Sequence, residues 1–418
     1  MQIKIKKIKI LYVFLLAIIV LMIPHLLRYF NGNILIGGES YYHAKIVKDI
    51  IDGNFQSLNP YHYILAFFTY IFGDFASKLL PFLLGIFSLL LFYLILKKYF
   101  NEEIFLILFI LILSPDFIYT FTISNIHSFF IFISLLFYYF LKNKKRNILS
   151  ITILLFLIYT LSIYNYNAEF PDFLEKNIIK DAVTEIGALI GFGIFNLLLA
   201  LIGIILSWEY KKKIYPVYLI ILILIISYYY IGNIVNIYLN FFLAIFAGIA
   251  LYRLINLKWE SKSIKNLTLI ILIIGLFFSC ISYISILSNS LPDKEIIDAL
   301  EYLRDLKKDN VLSDYKNGFW IEYYGKKSIM NSNFNYTNVN EIFKDIDFIF
   351  MSNDLEKTKK VLDRYNIGYI FITPEMKKKK MNNKEEGLLF LFRNKETFKN
   401  IYKWDDVEIW EVIKKEVN

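Results

Sequence analysis

Long, nearly uninterrupted apolar stretches recur from Ile8 to Ile286, and the pattern changes after Leu291, where charged residues return every few positions. A bilayer core has no water to satisfy backbone amides, so a spanning helix takes about 20 mainly apolar residues. Stretches of that kind fall at 8–27, 79–96, 104–116, 124–141, 148–164, 185–208, 214–231, 234–256 and 266–287, which makes nine. The segment "YHYILAFFTYIFG", 61–73, is apolar but short, and suits a helix lying at the interface. In 104–141 the first arm is short and ends at Ser114-Pro115, a layout that also fits a re-entrant hairpin. The pattern therefore predicts a polytopic α-helical membrane domain over 1–290, with an external loop at 28–78, and a soluble domain over 291–418.

The soluble part is large enough for its own core. Asp293 caps a predicted helix with Ile296, Ile297, Leu300, Leu303 and Leu306 on one face. Short strands are read at about 310–313, 327–330 and 368–372, with helices near 317–324, 339–349 and 354–366, and a closing hairpin near 399–404 and 407–413. Alternating strand and helix predicts an α/β domain with a small, largely parallel sheet. The Lys377 to Lys380 run reads as a solvated loop.

Composition agrees with the membrane assignment: 57% of residues are apolar and 18% aromatic. The net charge of +9 needs locating before it is interpreted. Residues 291–418 carry 23 basic and 23 acidic residues, so the excess lies in the membrane part, 23 against 14. With 61–73 taken as non-spanning, 17 of those 23 basic residues fall in one set of loops and 6 in the other. Short cytoplasmic loops collect Lys and Arg, so the N-terminus is expected in the cytoplasm and the C-terminal domain outside the cell membrane. The excess charge is thus topological, and nucleic acid is not expected as a partner. The start, "MQIKIKKIKILYVFLLAIIVLMIPHLL", has no small-residue cleavage site and reads as a retained anchor. The single cysteine, Cys280, allows no intrachain disulfide.

The stretch "ESYYHAKIVKD", 39–49, stands out in the external loop. Gly37-Gly38 offers a hinge, Ser40 a helix cap, and Tyr42, Ile46 and Ile50 the apolar side of an amphipathic helix stopped by Asp52-Gly53. Lys45 with Asp49 and Lys48 with Asp52 are i,i+4 pairs on its polar side. The N-terminus of such a helix attracts a phosphate or carboxylate. Two readings stay open on these residues alone: a site, or an end charge at Glu39 beside interfacial aromatics at His43 and the tyrosines.

The order acidic, x, Tyr, Tyr, His, x, basic on the first external loop resembles the catalytic subunit of archaeal oligosaccharyltransferase and its relatives among membrane glycosyltransferases of the GT-C fold. The following "NPYHYILAFFTYIFG" and "LLPFLLGIFSLLLFYLILKKYF", and a short span ending in "LSPDF", look like the same family. The resemblance implies that Glu39 is an active-site carboxylate facing a lipid-linked sugar donor. A second match, "VLSDYKNGFWIEYYGKKSIM" at 311–330, is similar to the family's acceptor-reading Trp-Trp-Asp-Tyr-Gly region. Leu312 and Ser313 stand at the two Trp positions, Asp314 and Tyr315 remain, and Lys316 and Asn317 intervene before Gly318. The family's second external loop brings an acidic pair that helps hold a divalent metal. Here "SPDFIYTFTISNIH" offers Asp116, followed by Asn125 and His127.

Transfer of a sugar from a polyprenyl phosphate or pyrophosphate needs a carboxylate for the acceptor and positive charge for the leaving phosphate. Glu39 takes the first role. Arg28, Lys45, Ser40 and His43 are the candidates for donor phosphate, chosen from external cations that also include Lys48, Lys78, Lys176 and Lys180. Tyr42, Asp314 and Tyr315 are the candidates for the acceptor, and Glu39 with Asp116 for a divalent cation, Mg or Mn. The expected partners are membrane lipid, the lipid-linked sugar, and an acceptor that is protein, lipid or glycan. "GALIGFG", 187–193, reads as a close helix-packing stretch, and Asn335-Tyr336-Thr337 as a glycosylation acceptor pattern. No Gly-rich nucleotide loop or nucleophile motif occurs. A non-catalytic membrane protein that keeps this fold and binds lipid-linked glycan is the competing class. A transporter is disfavoured by the scarcity of ionisable groups within the spans.

Overall fold

The computed structural model describes residues 2–30, 35–54, 57, 59–142, 182–207, 211–332, 338–380 and 387–413. The expected span at 148–164, Lys176, Lys180 and the 335–337 pattern lie outside the described residues. Packing divides the chain into two units, a helical one from the described parts of 1–36, 57–162 and 176–289, and a second from those of 37–56 and 290–418.

In chain order the first helices are α1 (Gln2–Phe30), α2 (Gly37–Ile51), α3 (Pro60–Phe72), α4 (Ala76–Leu96), α5 (Ile104–Leu113), α6 (Pro115–Thr122) and α7 (Ile126–Lys142). They are followed by α8 (Ile194–Leu206), α9 (Lys211–Ile231), α10 (Val235–Asn256) and α11 (Lys262–Ser288). All but α2 belong to the helical unit. Among the described residues four segments are long and apolar enough to cross a membrane, Ile10–Phe30, Pro60–Leu96, Gly232–Asn256 and Lys262–Ser288, or five if a bent pair counts as one span. The count of nine is not confirmed among the described residues, and at three of the expected stretches the structure shows local detail.

The 61–73 stretch forms a helix of its own, α3, followed closely by α4. Asn59 starts it, accepting from the Tyr61 amide at 3.0 Å with Pro60 in the first turn, and one 3-10 turn at Gly73–Phe75 leads into α4, so that 37 residues form one apolar run. The 104–116 stretch breaks at Ser114, which is extended (ψ 137°) because it precedes Pro115; α5 and α6 meet there at 66°. The 185–208 stretch is helical only from Ile194. Before it, residues 182–193 fold back on themselves, with the Phe192 amide donating to the Ala182 carbonyl at 2.8 Å. The Glu185 carboxylate accepts from the Ile194 amide at 3.2 Å and from the Ser279 hydroxyl, which anchors the start of α8.

Close packing uses a glycine of 187–193, since a Cβ on Gly193 would lie 2.9 Å from the Ser279 hydroxyl oxygen of α11, and glycines beyond it. A Cβ on Gly203 of α8 would lie 1.9 Å from the Phe246 carbonyl oxygen of α10, and one on Gly248 would lie 2.4 Å from Ile107 Cγ1 of α5. Without side chains there, the backbones approach as membrane helices commonly do.

In the second unit α12 (Lys294–Arg304) is capped by Asp293, whose carboxylate accepts from the Ile296 amide at 3.0 Å. Strands β1 (Asn310–Leu312), β2 (Lys327–Ser328), β3 (Tyr369–Ile372), β4 (Phe398–Trp404) and β5 (Val407–Val412) form one sheet in the order β2-β1-β3-β5-β4. The sheet is mixed rather than largely parallel: β2, β1 and β3 run parallel, and β5 and β4 are antiparallel additions. The β4–β5 turn is only Asp405-Asp406, with Asp405 at φ 46°, and so tight a return forces antiparallel pairing. Helices α13 (Gly318–Tyr323), α14 (Val339–Met351), α15 (Leu355–Arg364), α16 (Pro374–Lys380) and α17 (Gly387–Leu391) complete the unit. Leu312, Ile349, Ile370, Ile372 and Leu388, all fully buried, form the centre of its core. The Lys377–Lys380 run is the end of α16, not a loop, and Lys377 donates to Glu408 of β5 at 3.0 Å.

Candidate functional site

Helix α2 begins at Gly37, at φ 73°, so Glu39 and Ser40 lie inside its first turn and Ser40 is not the cap. The half-buried Glu39 carboxylate thus sits at the positive end of the helix dipole. Ser40, Tyr41, His43, Ala44, Ile46 and Val47 are buried, so of the expected apolar side Ile46 is inward while Tyr42 and Ile50 are half-buried. The helix covers a protein neighbour: the ring of Tyr41 meets Tyr323 at 5.2 Å, and that of Tyr42 meets Phe319 at 4.9 Å. Lys45 pairs with Asp49 as expected. Lys48 does not pair with Asp52 and instead lies 3.7 Å above the Tyr323 ring. Gly53, at φ 74°, ends the helix.

The partner of α2 is α13, which follows directly on Asp314 and Tyr315. The Asp314 carboxylate accepts from the Lys316 amide at 3.0 Å and starts the 3-10 turn Tyr315–Asn317 that leads into α13. Gly318 has to be a glycine, since a Cβ there would lie 2.4 Å from the Met330 carbonyl oxygen. Asp314, Tyr315, Lys316, Asn317, Thr373, Glu375 and Met376 line a cavity of about 110 Å³. It opens where the chain leaves β1 and β3, neighbouring parallel strands; β1 connects next to β2 on its other side. Such a divergence at the carboxyl ends of parallel strands leaves a crevice suited to a ligand. Burial, then the Asp314 and Glu375 charges, push the Tyr315 phenol above its ordinary range. Leu312 and Ser313, at the family's tryptophan positions, are built into the core, with the Ser313 hydroxyl donating to the Phe371 carbonyl at 2.8 Å.

Sequence reasoning misses Glu322 on α13. Burial first, and then the nearby Asp49 charge, raise its carboxyl above the ordinary range, against the opposing pull of the Asn331 side chain, which donates to it at 2.9 Å, and of Lys45. The signal is present in the sequence as an acidic residue inside "GFWIEYY", but its neighbours come from α2, far away in the chain.

Two other predicted site residues lie in the helical unit. Arg28 is 3% exposed, and its guanidinium donates to the Ser288 carbonyl at the end of α11 at 3.2 Å. Asp116 is 1% exposed in the first turn of α6, and its carboxylate oxygens lack a hydrogen-bond partner among the described residues, with the Gly191 amide nearby. Asn125 is used structurally: its side chain donates to the Thr120 and Ile123 carbonyls and accepts from the Ser128 amide, each at 2.9 Å. His127 is hydrogen-bonded to the Tyr238 hydroxyl at 2.8 Å. Among the described residues no three His, Cys, Asp or Glu side chains gather as metal ligands, and Glu39 and Asp116 belong to different units.

No protein-family model matches the chain, and no curated protein matches it in sequence. Solved structures do. The apo form of the Archaeoglobus fulgidus oligosaccharyltransferase is similar over 97% of this chain and 75% of its own, with a TM-score of 0.56 and 11% identity. Oligosaccharyltransferase AglB from Archaeoglobus fulgidus, in complex with an inhibitory peptide and a dolichol-phosphate, is similar over 98% and 74%, with a TM-score of 0.54 and 11% identity. The Archaeoglobus fulgidus enzyme tethered with an acceptor peptide containing the NVT sequon is similar over 96% and 74%, at 0.51 and 11%. At this identity the likeness is one of fold: the chain has an oligosaccharyltransferase-like fold along nearly its whole length.

Proposed function

We propose that this chain is a membrane glycosyltransferase that moves a sugar or glycan from a polyprenyl-phosphate or pyrophosphate donor to an acceptor on the external face of the cell membrane. The observation that carries the reading is the packing of α2 on α13, which holds Glu39 in the same unit as Asp314 and Tyr315. A carboxylate for the reaction and the residues that resemble an acceptor-reading motif then share one scaffold. Solved structures of the same fold bound to a dolichol-phosphate and an acceptor peptide support the same substrate classes.

Glu39 accepts the proton of the acceptor nucleophile, or its hydrogen bond, as that nucleophile attacks the anomeric carbon. The bond from that carbon to the phosphate oxygen breaks, and the lipid phosphate leaves with the bonding pair. Basic side chains and the α2 N-terminus offset the charge that develops on it. Arg28, Lys45, Ser40 and His43 are assigned to the donor phosphate, and Tyr42, Asp314 and Tyr315 to the acceptor. Lys45 would reach a phosphate only by leaving Asp49. Leu312 and Ser313 bring no indole to the acceptor cavity, so the acceptor class, whether protein, lipid or glycan, is left to the assay.

Purified, reconstituted protein is to be given radiolabelled polyprenyl-phosphate and pyrophosphate sugars with peptide, lipid and glycan acceptors. Transfer or donor hydrolysis that Asp314→Asn weakens chiefly through the acceptor KM supports the proposal. Donor binding without turnover on any acceptor would replace it with the non-catalytic binding protein.

A further inference from the structure

We propose that Glu322 is a positioning residue: from α13 it holds α2 in place, and through α2 it sets where Glu39 stands relative to Asp314 and Tyr315. The role at Glu39 rests on the proposed glycosyl transfer; the hold on α2 does not. Phe319, Glu322 and Tyr323 lie three and four residues apart on α13 and so share one face. Contacts with α2 bracket that face. The Phe319 ring meets Tyr42 at 4.9 Å, and the Tyr323 ring meets Tyr41 at 5.2 Å and has the Lys48 ammonium 3.7 Å above it. Glu322 falls between these contacts on α13, as Lys45 falls between Tyr42 and Lys48 on α2, where it pairs with Asp49. It is the one charged side chain that α13 carries.

The same side chain is tied to the segment that supports Tyr315. Its carboxylate accepts from the Asn331 side chain at 2.9 Å. Residues 330–332 lie against the start of α13, where a Cβ on Gly318 would come within 2.4 Å of the Met330 carbonyl oxygen, and the Ser332 hydroxyl donates to the Tyr315 carbonyl at 3.3 Å. Glu322 therefore joins two parts that the proposed reaction has to keep in register, the helix that begins at Glu39 and the turn that carries Asp314 and Tyr315. A displacement of about 1 Å at a reacting group costs on the order of a hundredfold in rate, so a residue away from the chemistry is felt there.

The hold depends on a proton. From α2 the half-buried carboxyl faces Lys45, which favours its charge, and Asp49, which opposes it. Tyr41, Tyr42, Lys48 and Tyr323 are the other titratable groups of that interface. The turn before α13 and β2, which also pack on it, bring Lys316 and Lys327, both exposed. Burial outweighs Lys45 and Asn331, so the carboxyl titrates above its ordinary range. Once ionised, it sets a second carboxylate beside Asp49 in a half-buried contact. Docking of α2 is thus favoured below the ordinary glutamate value, and that contribution is lost as the pH climbs through the raised value.

The test uses the full chain in nanodiscs, as wild type, Glu322→Gln and Glu322→Ala, with Glu301→Gln on the exposed side of α12 as control. Amide hydrogen exchange of α2 and single-turnover sugar transfer are both followed from acid to neutral pH. Each variant is read as a ratio to wild type at the same pH, which cancels the intrinsic pH dependence of exchange and the titration of Glu39. Glu322→Gln keeps an acceptor for Asn331 and never ionises. It should match wild type at low pH, then protect α2 better and transfer faster than wild type as the pH rises. Glu322→Ala should exchange α2 faster and transfer at least about tenfold more slowly at low pH, with donor affinity unchanged, while the control follows wild type throughout. If Glu322→Ala does not unfold cooperatively, the comparison of Glu322→Gln with wild type decides alone. Equal α2 exchange in those two proteins at every pH would overturn the hold on α2, and transfer by wild type would leave the glycosyltransferase proposal standing. Altered exchange with unaltered transfer would overturn the positioning of Glu39. Exchange that responds as expected in a wild type that transfers nothing would overturn the proposed function and the role at Glu39, and keep the hold on α2.

Discussion

The ring of Tyr42 lies 4.9 Å from that of Phe319, which joins a helix from the first loop to one that follows Asp314 and Tyr315 much later in the chain. Because Phe319 is buried and Tyr41 and Lys48 add contacts to Tyr323, α2 moves with the C-terminal part of the chain. The carboxylate at Glu39 inherits its position from that contact.

The aromatic pair should behave as a coupled unit. In a double-mutant cycle of Tyr42→Ala and Phe319→Ala, followed by chemical unfolding of the detergent-solubilised protein, the double variant should lose about 1 kcal/mol less than the sum of the single ones. Additive losses would mean that the two rings do not support each other.

Glu322 should make the second unit less stable as the pH rises. Its folded-state carboxyl is raised, chiefly by burial, so the folded chain holds a proton that the unfolded chain has lost. The contribution is full below the ordinary glutamate value and disappears as the pH climbs through the raised folded value. Melting temperatures of wild type should therefore fall across that window, and Glu322→Gln should flatten the fall.

Glu408 should do the reverse. Burial works against its charge, but hydrogen bonds from Trp410 and Lys377 and the Lys403 charge outweigh it and hold the carboxyl below the usual range. Its contribution is present above the ordinary glutamate value and is lost as the pH falls through the depressed one. At neutral pH Lys377→Ala should cost about 2 kcal/mol, read from denaturant unfolding, because it removes a charged hydrogen-bond partner from a carboxylate that is nearly buried.

Gly203→Ala should loosen the helical unit by about 2 kcal/mol, since the new Cβ has to push the α10 backbone away at Phe246. Gly73→Ala finds open space and is strained only by its positive φ, so it should cost less. Thermal unfolding of the two variants side by side gives the comparison.

Elements with a local cause are legible in the amino-acid sequence. Asp293 announces α12, the alternating β4 and β5 announce their hairpin, and the Lys45–Asp49 pair follows from spacing alone. What the pattern misses depends on distant partners. Spacing does not show that α2 buries Tyr41 and Ala44 as well as Ile46, because the surface it covers comes from α13. Nor does it show that Lys377 has Glu408 across the sheet.

The membrane part is legible as apolar composition, but less so as a set of helices. The proline marks the break at Ser114-Pro115, but hydropathy does not register the fold-back at 182–193, because isoleucine and glycine there are as apolar outside a helix as inside one. Of the candidate site, Glu39, Tyr42, Asp314 and Tyr315 fall in one unit, whereas Arg28 and Asp116 fall in the other.

The proposed function stands or falls with chemistry at Glu39. The decisive measurement is the single-turnover rate of sugar transfer by reconstituted wild type and Glu39→Gln on the same lipid-linked donor, with donor affinity measured in parallel. The expected result is a rate lower by about a hundredfold or more with affinity unchanged. A variant that turns over donor at the wild-type rate would take the reaction away from Glu39.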